Sequence, residues 1–329
     1  MMRSRRWLWT LGFAVLAAQP AAAQAQKLTP LSFTLNWVPS IDHAGYYAAK
    51  LAGLYEKEGL DVVIKPGGPQ INVHQLLAAG QTDLIMGTTM RAFNARQNGV
   101  PIVTIAAWYQ KDATTLMLHP ENAAKDLAKL KTNPMFIPNI SKVNYWPWLK
   151  IKYGYSDEQL KPYDFSFRTW AIDPRAASQG YITNDRPNMA RVGVTNGRSL
   201  LLADFGWDQY INTVDTLDAT VAERPDVLRR FLKATAAGWH LYFSDPAATH
   251  AELARLNPDL RPEDLDYSHK VMRDYGLLGA DGSLKHLGEI SEPRMLKFAE
   301  DMVRAGALGP SDAYQKAFTV KFMDALSAQ

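Results

Sequence analysis

The strongest constraint on the fold is the regular exchange of strand and helix patterns between Leu31 and Ala107. Leu31, Phe33 and Leu35 recur every second residue, the period of a strand with one buried face. Asn36, Trp37, Pro39 and Ser40 break that pattern, and Asp42 stands where a helix cap would. Ala44, Tyr47, Ala48, Leu51, Leu54 and Tyr55 then follow helical spacing up to Gly59. Asp61–Ile64 reads as a strand closed by the turn cluster Pro66-Gly67-Gly68-Pro69. Further units follow: a helix over Ile71–Ala79, a buried strand at Leu84–Met86, a helix over Thr88–Asn98 and a strand at Ile102–Ala107. Such alternation predicts a parallel sheet made of βαβ units.

The rest of the chain is organised differently. Residues 113–205 carry Trp146, Trp148, Trp170 and several prolines, with strand-like Met135–Ile137 and Phe165–Phe167, which fits a second strand–helix lobe. From Glu223 the pattern is helical: Leu228, Phe231, Leu232, Thr235, Trp239 and Tyr242 share one face, and Pro246 ends the stretch. More helices are expected near 246–256, 262–275 and 293–306, with an Asp281-Gly282 turn before the last. The predicted class is α/β, two lobes followed by a helical C-terminal region.

At 329 residues, with 47% hydrophobic and 21% charged side chains, the chain can bury a sizeable core as two compact units. No cysteine is present, so disulfide frameworks, Cys-ligated metals and thiol nucleophiles are excluded. Residues 1–25 read as an export signal: Arg3, Arg5 and Arg6 precede an apolar stretch, and Ala21–Ala23 and Ala23–Ala25 are small-x-small cleavage sites. Ser4-Arg5-Arg6 leaves a twin-arginine route open. A periplasmic location is expected. The formal charge of +3 is carried by those three arginines, since residues 1–25 hold no acid, so the remainder is formally neutral. Nucleic-acid binding is therefore not expected.

No HExxH, GxSxG, GxxxxGK[ST] or GxGxxG motif occurs, and no two of the seven histidines lie four apart. No catalyst, cofactor or metal site is predicted. Gly67-Gly68 suits either a close approach to a ligand or a plain tight turn. Aromatic residues at element junctions are the positive signal, because α/β sheets place ligands there. Trp37, Tyr46, Trp108, Trp146 and Tyr181, with the polar residues Asn36, His43, Thr88, Thr89, Asn139 and Asn184, form the candidate ligand-binding set. For any one of these aromatics, plain core packing is an equal alternative. Thr88 and Thr89 follow Gly87 at a helix start, where free backbone N–H groups suit a polar or anionic ligand edge.

Several segments resemble periplasmic substrate-binding proteins of the NMT1/THI5-like family. They are Phe33-Thr-Leu-Asn-Trp-Val-Pro, His43-Ala-Gly-Tyr-Tyr-Ala-Ala-Lys, Gly53–Val62, Leu76–Leu84 and Asn98–Val103. Gln179-Gly-Tyr-Ile-Thr-Asn and Glu223–Ala234 continue the resemblance, which spans most of residues 31–245. Between 120 and 175 it is patchy: where relatives have a Gly-Lys-Lys-Val-Gly-like strand, this chain has Lys131-Thr-Asn-Pro-Met-Phe-Ile-Pro.

The resemblance implies a two-lobe, type II "Venus flytrap" receptor that closes on a small ligand and docks on the permease of an ABC importer. Residues 26–112 would begin the first lobe, 113–205 form the second, and 206–329 return to the first and supply the C-terminal helices. Such a receptor is expected to act as a monomer. Matching positions place Trp37 and Tyr46 in the first-lobe half of the site, Tyr181 and Asn184 in the second. The family also holds a thiamine pyrimidine synthase branch that uses pyridoxal phosphate, one of its own histidines, iron and a Cys-rich motif. Here the branch's cofactor lysine falls on Gly87 and its donor histidine on Arg91. A Schiff base needs an amine, which Gly87 lacks. Relatives also include receptors for sulfonate and nitrate. Small anions want converging cations, and only Lys65 and Arg91 lie near the first-lobe site segments. A flat nitrogenous heterocycle, such as a thiamine-precursor pyrimidine, suits the Trp, Tyr and Asn content better.

Overall fold

The computed structural model describes residues 27–279 and 284–326. The expected signal segment at 1–25 and the expected Asp281-Gly282 turn lie outside the described residues. The chain starts with β1 (Thr29–Thr34), a 3-10 turn at Ile41–His43, α1 (Ala44–Leu51) and α2 (Leu54–Lys57). Next come β2 (Leu60–Lys65), α3 (Val73–Ala78), β3 (Leu84–Thr88), α4 (Thr89–Gln97) and β4 (Ile102–Tyr109). After a crossing, β5 (Thr114–Leu118), β6 (Met135–Phe136), α5 (Trp146–Tyr153) and β7 (Leu160–Lys161) build a second unit. It is completed by α6 (Arg168–Ala171), β8 (Ala177–Tyr181), α7 (Asp185–Arg191) and β9 (Arg198–Leu201). The chain then returns through β10 (Ile211–Leu217) and ends in α8 (Asp218–Glu223), α9 (Pro225–Ser244), α10 (Ala247–Leu256), α11 (Pro262–Asp274) and α12 (Glu292–Arg304).

Two five-stranded sheets result, ordered β2-β1-β3-β10-β4 and β7-β6-β8-β5-β9. We call each sheet with its helices a lobe. In the first, β1 runs parallel to β2 and β3, but β10 lies antiparallel between β3 and β4. The parallel sheet expected from local alternation is thus mixed. The returning strand comes from more than a hundred residues away, where no local period announces its partner. The second sheet is mixed too, with β5 antiparallel to β8 and β9.

The first lobe's core is set by a close helix crossing. Glycines at Gly45 of α1 and Gly238 of α9 let the backbones meet. A Cβ on Gly238 would lie 2.3 Å from the Gly45 carbonyl, and one on Gly45 2.2 Å from the Trp239 ring. The six residues expected on one face of the long C-terminal helix are all buried there, from Leu228 to Tyr242. The strand expected at Phe165–Phe167 does not form. Phe165 and Phe167 both take left-handed backbone conformations, at φ +56° and +58°, while the Asp164 carboxylate accepts the Ser166 and Phe167 N–H groups. The short acidic side chain offers the backbone a local turn that outcompetes a ladder.

Candidate functional site

The lobes are joined by two crossings, residues 110–113 and 202–210. A buried chain of hydrogen bonds ties one to the other. Asp112 Oδ1 accepts the Thr114 N–H at 2.6 Å, and its Oδ2 accepts Gln209 Nε2 at 2.7 Å. Gln209 Oε1 then accepts the Met90 N–H at 3.1 Å. The crossings therefore pin the start of α4.

On the first-lobe side, the segment after β1 is folded by its own polar groups. Ser40 N–H donates to His43 Nδ1 at 3.0 Å, and His43 Nε2 faces Asn36 Oδ1 at 3.2 Å. This fixes the neutral tautomer with the proton on Nε2. Burial pushes the His43 pKa down to about 3. Gly67 closes the turn from behind: its N–H donates to the Trp37 carbonyl at 3.0 Å, and a Cβ there would sit 2.2 Å from the Leu35 carbonyl oxygen. Of the two readings of Gly67-Gly68, the close approach of Gly67 is to its own chain. With Ser40 and His43 engaged in capping, Asp42 is released from the capping role expected of it. Its Oδ1 accepts Tyr109 Oη at 2.7 Å and Thr183 Oγ1 of the second lobe at 3.2 Å. Its backbone carbonyl accepts Asn212 Nδ2 at 2.5 Å. Burial raises the Asp42 pKa, and the Tyr109, Thr183 and Ser40 hydroxyls pull it back.

On the second-lobe side, Tyr181 ends β8, and Asn184 Nδ2 donates to Thr183 Oγ1 at 3.0 Å. Burial raises the Tyr181 pKa, as do the Asp112 and Asp42 carboxylates. Gln179 gathers Tyr145 Oη at 2.8 Å and Ser141 Oγ at 2.5 Å on its Oε1. Phe165, lifted by the Asp164 turn, meets Trp37 of the first lobe at a ring-centroid distance of 5.3 Å and 32°. Tyr163 braces Phe165 edge-on at 4.8 Å.

The structure thus brings Asn36, Trp37, His43, Tyr181 and Asn184 to the contact between lobes. Others of the expected set go elsewhere. Tyr46 and Trp108 are wholly buried in the first-lobe core, where Tyr46 Oη donates to Asn212 Oδ1 at 2.9 Å and its ring packs on Phe33 and Trp239. Trp146 belongs to the second-lobe core, packed on Tyr155 and donating from its indole nitrogen to Asp157 at 2.8 Å. Each is a large apolar ring that gains more from burial than from a half-wet cleft. Asn139 is exposed on a 3-10 turn whose Val143 carbonyl accepts Asn94 Nδ2 of α4 at 3.1 Å. The helix start at Thr88–Thr89 is less free than expected. The Thr89 N–H donates to the Tyr210 carbonyl at 3.1 Å and the Met90 N–H to Gln209. Only the Thr88 hydroxyl remains buried and unpaired.

Sequence reasoning missed Asp42 as a cleft residue, along with Thr183, Tyr109 and Phe165. Their signal is spatial: Tyr109 ends β4, while Asp42, Thr183 and Phe165 lie in turns whose conformation no periodicity marks. Among the described residues, no group of three His, Asp or Glu side chains could hold a metal, and no helix is long and apolar enough to cross a membrane.

The family pattern described as NMT1/THI5 like matches residues 40–249. The chain belongs to the NMT1/THI5-like family. It is 24% identical to the riboflavin-binding protein RibY of Chloroflexus aurantiacus, over 93% of this chain and 91% of that one. It is 27% identical to the formylaminopyrimidine-binding protein of Halalkalibacterium halodurans, over 68% and 70% of the two chains. It is also 22% identical to the 4-amino-5-hydroxymethyl-2-methylpyrimidine phosphate synthase THI11 of Saccharomyces cerevisiae, over 72% of this chain and 74% of that one. The solved alkanesulfonate-binding protein SsuA of Xanthomonas axonopodis pv. citri, bound to MOPS, superposes with a TM-score of 0.64 at 15% identity, covering 92% and 99%. The fold of this family member is the two-lobe periplasmic-binding-protein fold.

Proposed function

We propose that this chain is the solute-binding receptor of an ABC importer, taking a small flat nitrogenous heterocycle between its lobes and handing it to a membrane permease. The carrying observation is the pair Trp37 and Phe165, one ring from each lobe, together with the Asp42–Tyr109–Thr183 hydrogen bonds that also join the lobes. A ring sandwiched by two others needs them roughly 7 Å apart, twice an ordinary carbon contact. The rings at 5.3 Å must part to admit one, so this reading requires the lobes to open. The relatives named for riboflavin and formylaminopyrimidine support a heteroaromatic ligand. In this reading residues 1–25 direct export to the periplasm, and the receptor works as a monomer.

The synthase relatives favour a second reading, an enzyme building the pyrimidine from pyridoxal phosphate. Against it, Gly87 stands where that branch's lysine is expected, and a Cβ there would lie 1.9 Å from Asp215 Oδ2. A side chain there would have to displace that carboxyl, Arg91 stands at the donor histidine's place, and no cysteine exists. A sulfonate or nitrate receptor is supported by the fold alone, and a single guanidinium such as that of Arg91 is a meagre set of donors for a bare anion.

The deciding measurement is a thermal-shift and calorimetric panel of hydroxymethyl-aminopyrimidine, formylaminopyrimidine, thiamine, riboflavin, taurine, an alkanesulfonate, nitrate and pyridoxal phosphate. A ligand at 100 times its Kd stabilises by about 2.7 kcal/mol. Binding of a heterocycle that Trp37→Ala weakens at least tenfold supports the receptor. A borohydride-trapped pyridoxal phosphate adduct would revive the synthase.

A further inference from the structure

The start of α4 and the strands beside it hold polar groups that the fold leaves without a hydrogen-bond partner. Arg91 projects from the first turn of α4 and is partly buried, yet among the described residues its guanidinium makes no hydrogen bond and no ion pair. Its charge is felt by His74 of α3, and it feels Asp215 of β10 and Tyr181 of the second lobe. Around it, the Thr88 hydroxyl and both ring nitrogens of His74 are buried without partners, while the Thr213 hydroxyl has only the Asp215 carboxylate. Thr88 is 7% exposed and Thr213 fully buried.

The obvious counter-ion is out of reach. Asp215 Oδ1 is held by Thr104 Oγ1 at 2.8 Å, Oδ2 fills the place a Gly87 side chain would take, and no ion pair joins this carboxylate to Arg91. Burial lowers the Arg91 pKa, and an unpaired, desolvated cation is costly to keep. The arrangement repays that cost only when an anion arrives with the ligand, and a guanidinium fork matches the geometry of an oxyanion.

Resting on the receptor reading, we propose that Arg91 is the anion-reading residue of the cleft. The ligand is then a ring compound bearing a phosphate, carboxylate or sulfonate, with the ring at Trp37 and the oxyanion on Arg91 beside Thr88 and Tyr181. A neutral heterocycle leaves the guanidinium unpaired when the lobes close.

The test is calorimetry with matched pairs: riboflavin and its 5′-phosphate, pyridoxal and its 5′-phosphate, hydroxymethyl-aminopyrimidine and its phosphate, nicotinamide and nicotinate. Wild type, Arg91→Gln and Arg91→Lys are compared after their melting temperatures establish that each is folded. The charged member of at least one pair should bind tenfold or more tightly than its neutral partner. Arg91→Gln should erase that advantage without weakening the neutral partner, and Arg91→Lys should keep part of it. Neutral partners binding as tightly, or an advantage that survives Arg91→Gln, overturns the anion reading and leaves the receptor standing. Failure of every compound to bind wild type removes the receptor reading and this one with it.

Discussion

Asp42 of the first lobe and Thr183 of the second share a hydrogen bond of 3.2 Å, and the same carboxylate oxygen accepts Tyr109 Oη at 2.7 Å. One oxygen thus ties a strand end of its own lobe to the facing lobe. Around it, Ser268 Oγ of α11 donates to the Thr183 carbonyl at 2.6 Å, and Arg191 of α7 pairs with Asp264 at 2.5 Å. Polar contacts between the lobes thus gather around residue 42. Asp42→Ala should leave the Tyr109 hydroxyl unsatisfied, costing about 1–3 kcal/mol of stability. It should also shift the protein toward an open form. Small-angle scattering should show a larger radius of gyration than wild type; an unchanged radius with unchanged ligand affinity would refute the latch.

Gly87 is required by a carboxyl group. With a would-be Cβ only 1.9 Å from Asp215 Oδ2, Gly87→Ala should push the Asp215 carboxyl out of its place between β3 and β10. A loss of 2 kcal/mol or more is expected, in the range of core overpacking. Because the two residues touch, Gly87→Ala with Asp215→Ala should cost less than the sum of the singles. Additive urea-denaturation energies would show that the clash lies elsewhere.

His43 should stay neutral in the folded protein across the physiological range. Its pKa is pushed down to about 3 from an ordinary 6.5. A base depressed by folding adds stability above its unfolded pKa. That contribution disappears as pH falls from 6.5 toward 3, where the unfolded chain binds the proton first. The ring proton signal of His43, assigned by its loss in His43→Gln, should not move between pH 8 and 5. A midpoint near 6.5 would mean the ring is solvated.

Asp185 works in the opposite sense. Its Oδ2 accepts Thr115 Oγ1 at 2.6 Å and Ser199 Oγ at 2.5 Å, while Oδ1 is buried without a partner against Gly180. Burial raises its pKa from 3.8 to about 6. Folding then favours the protonated acid, so the stability it contributes falls as pH rises from about 4 to about 6 and is flat above. Relative to Asp185→Asn, wild type should lose on the order of 3 kcal/mol across that window. A difference independent of pH in urea unfolding would place the carboxyl in water.

The sequence by itself determined the elements whose signal is periodic. The strands and helices from Leu31 to Ala107, and the α9 face from Leu228 to Tyr242, follow from side-chain spacing, because burial on one face leaves a period of two or 3.6. It also placed Trp37 and Asn36 in a turn after a strand, where cleft residues belong. Tertiary structure decided the rest. Whether an aromatic packs in a core or faces a cleft depends on what lies opposite, so Tyr46, Trp108 and Trp146 read like Trp37 in sequence but are buried away from it. Thr183 and Phe165 gain their meaning from partners more than a hundred residues distant. Likewise, Gly87 and Asp215 are distant in sequence, and only the insertion of β10 beside β3 makes one exclude a side chain at the other. Such pairings are long-range and unperiodic, so they are fixed by how the sheets close rather than by any local pattern.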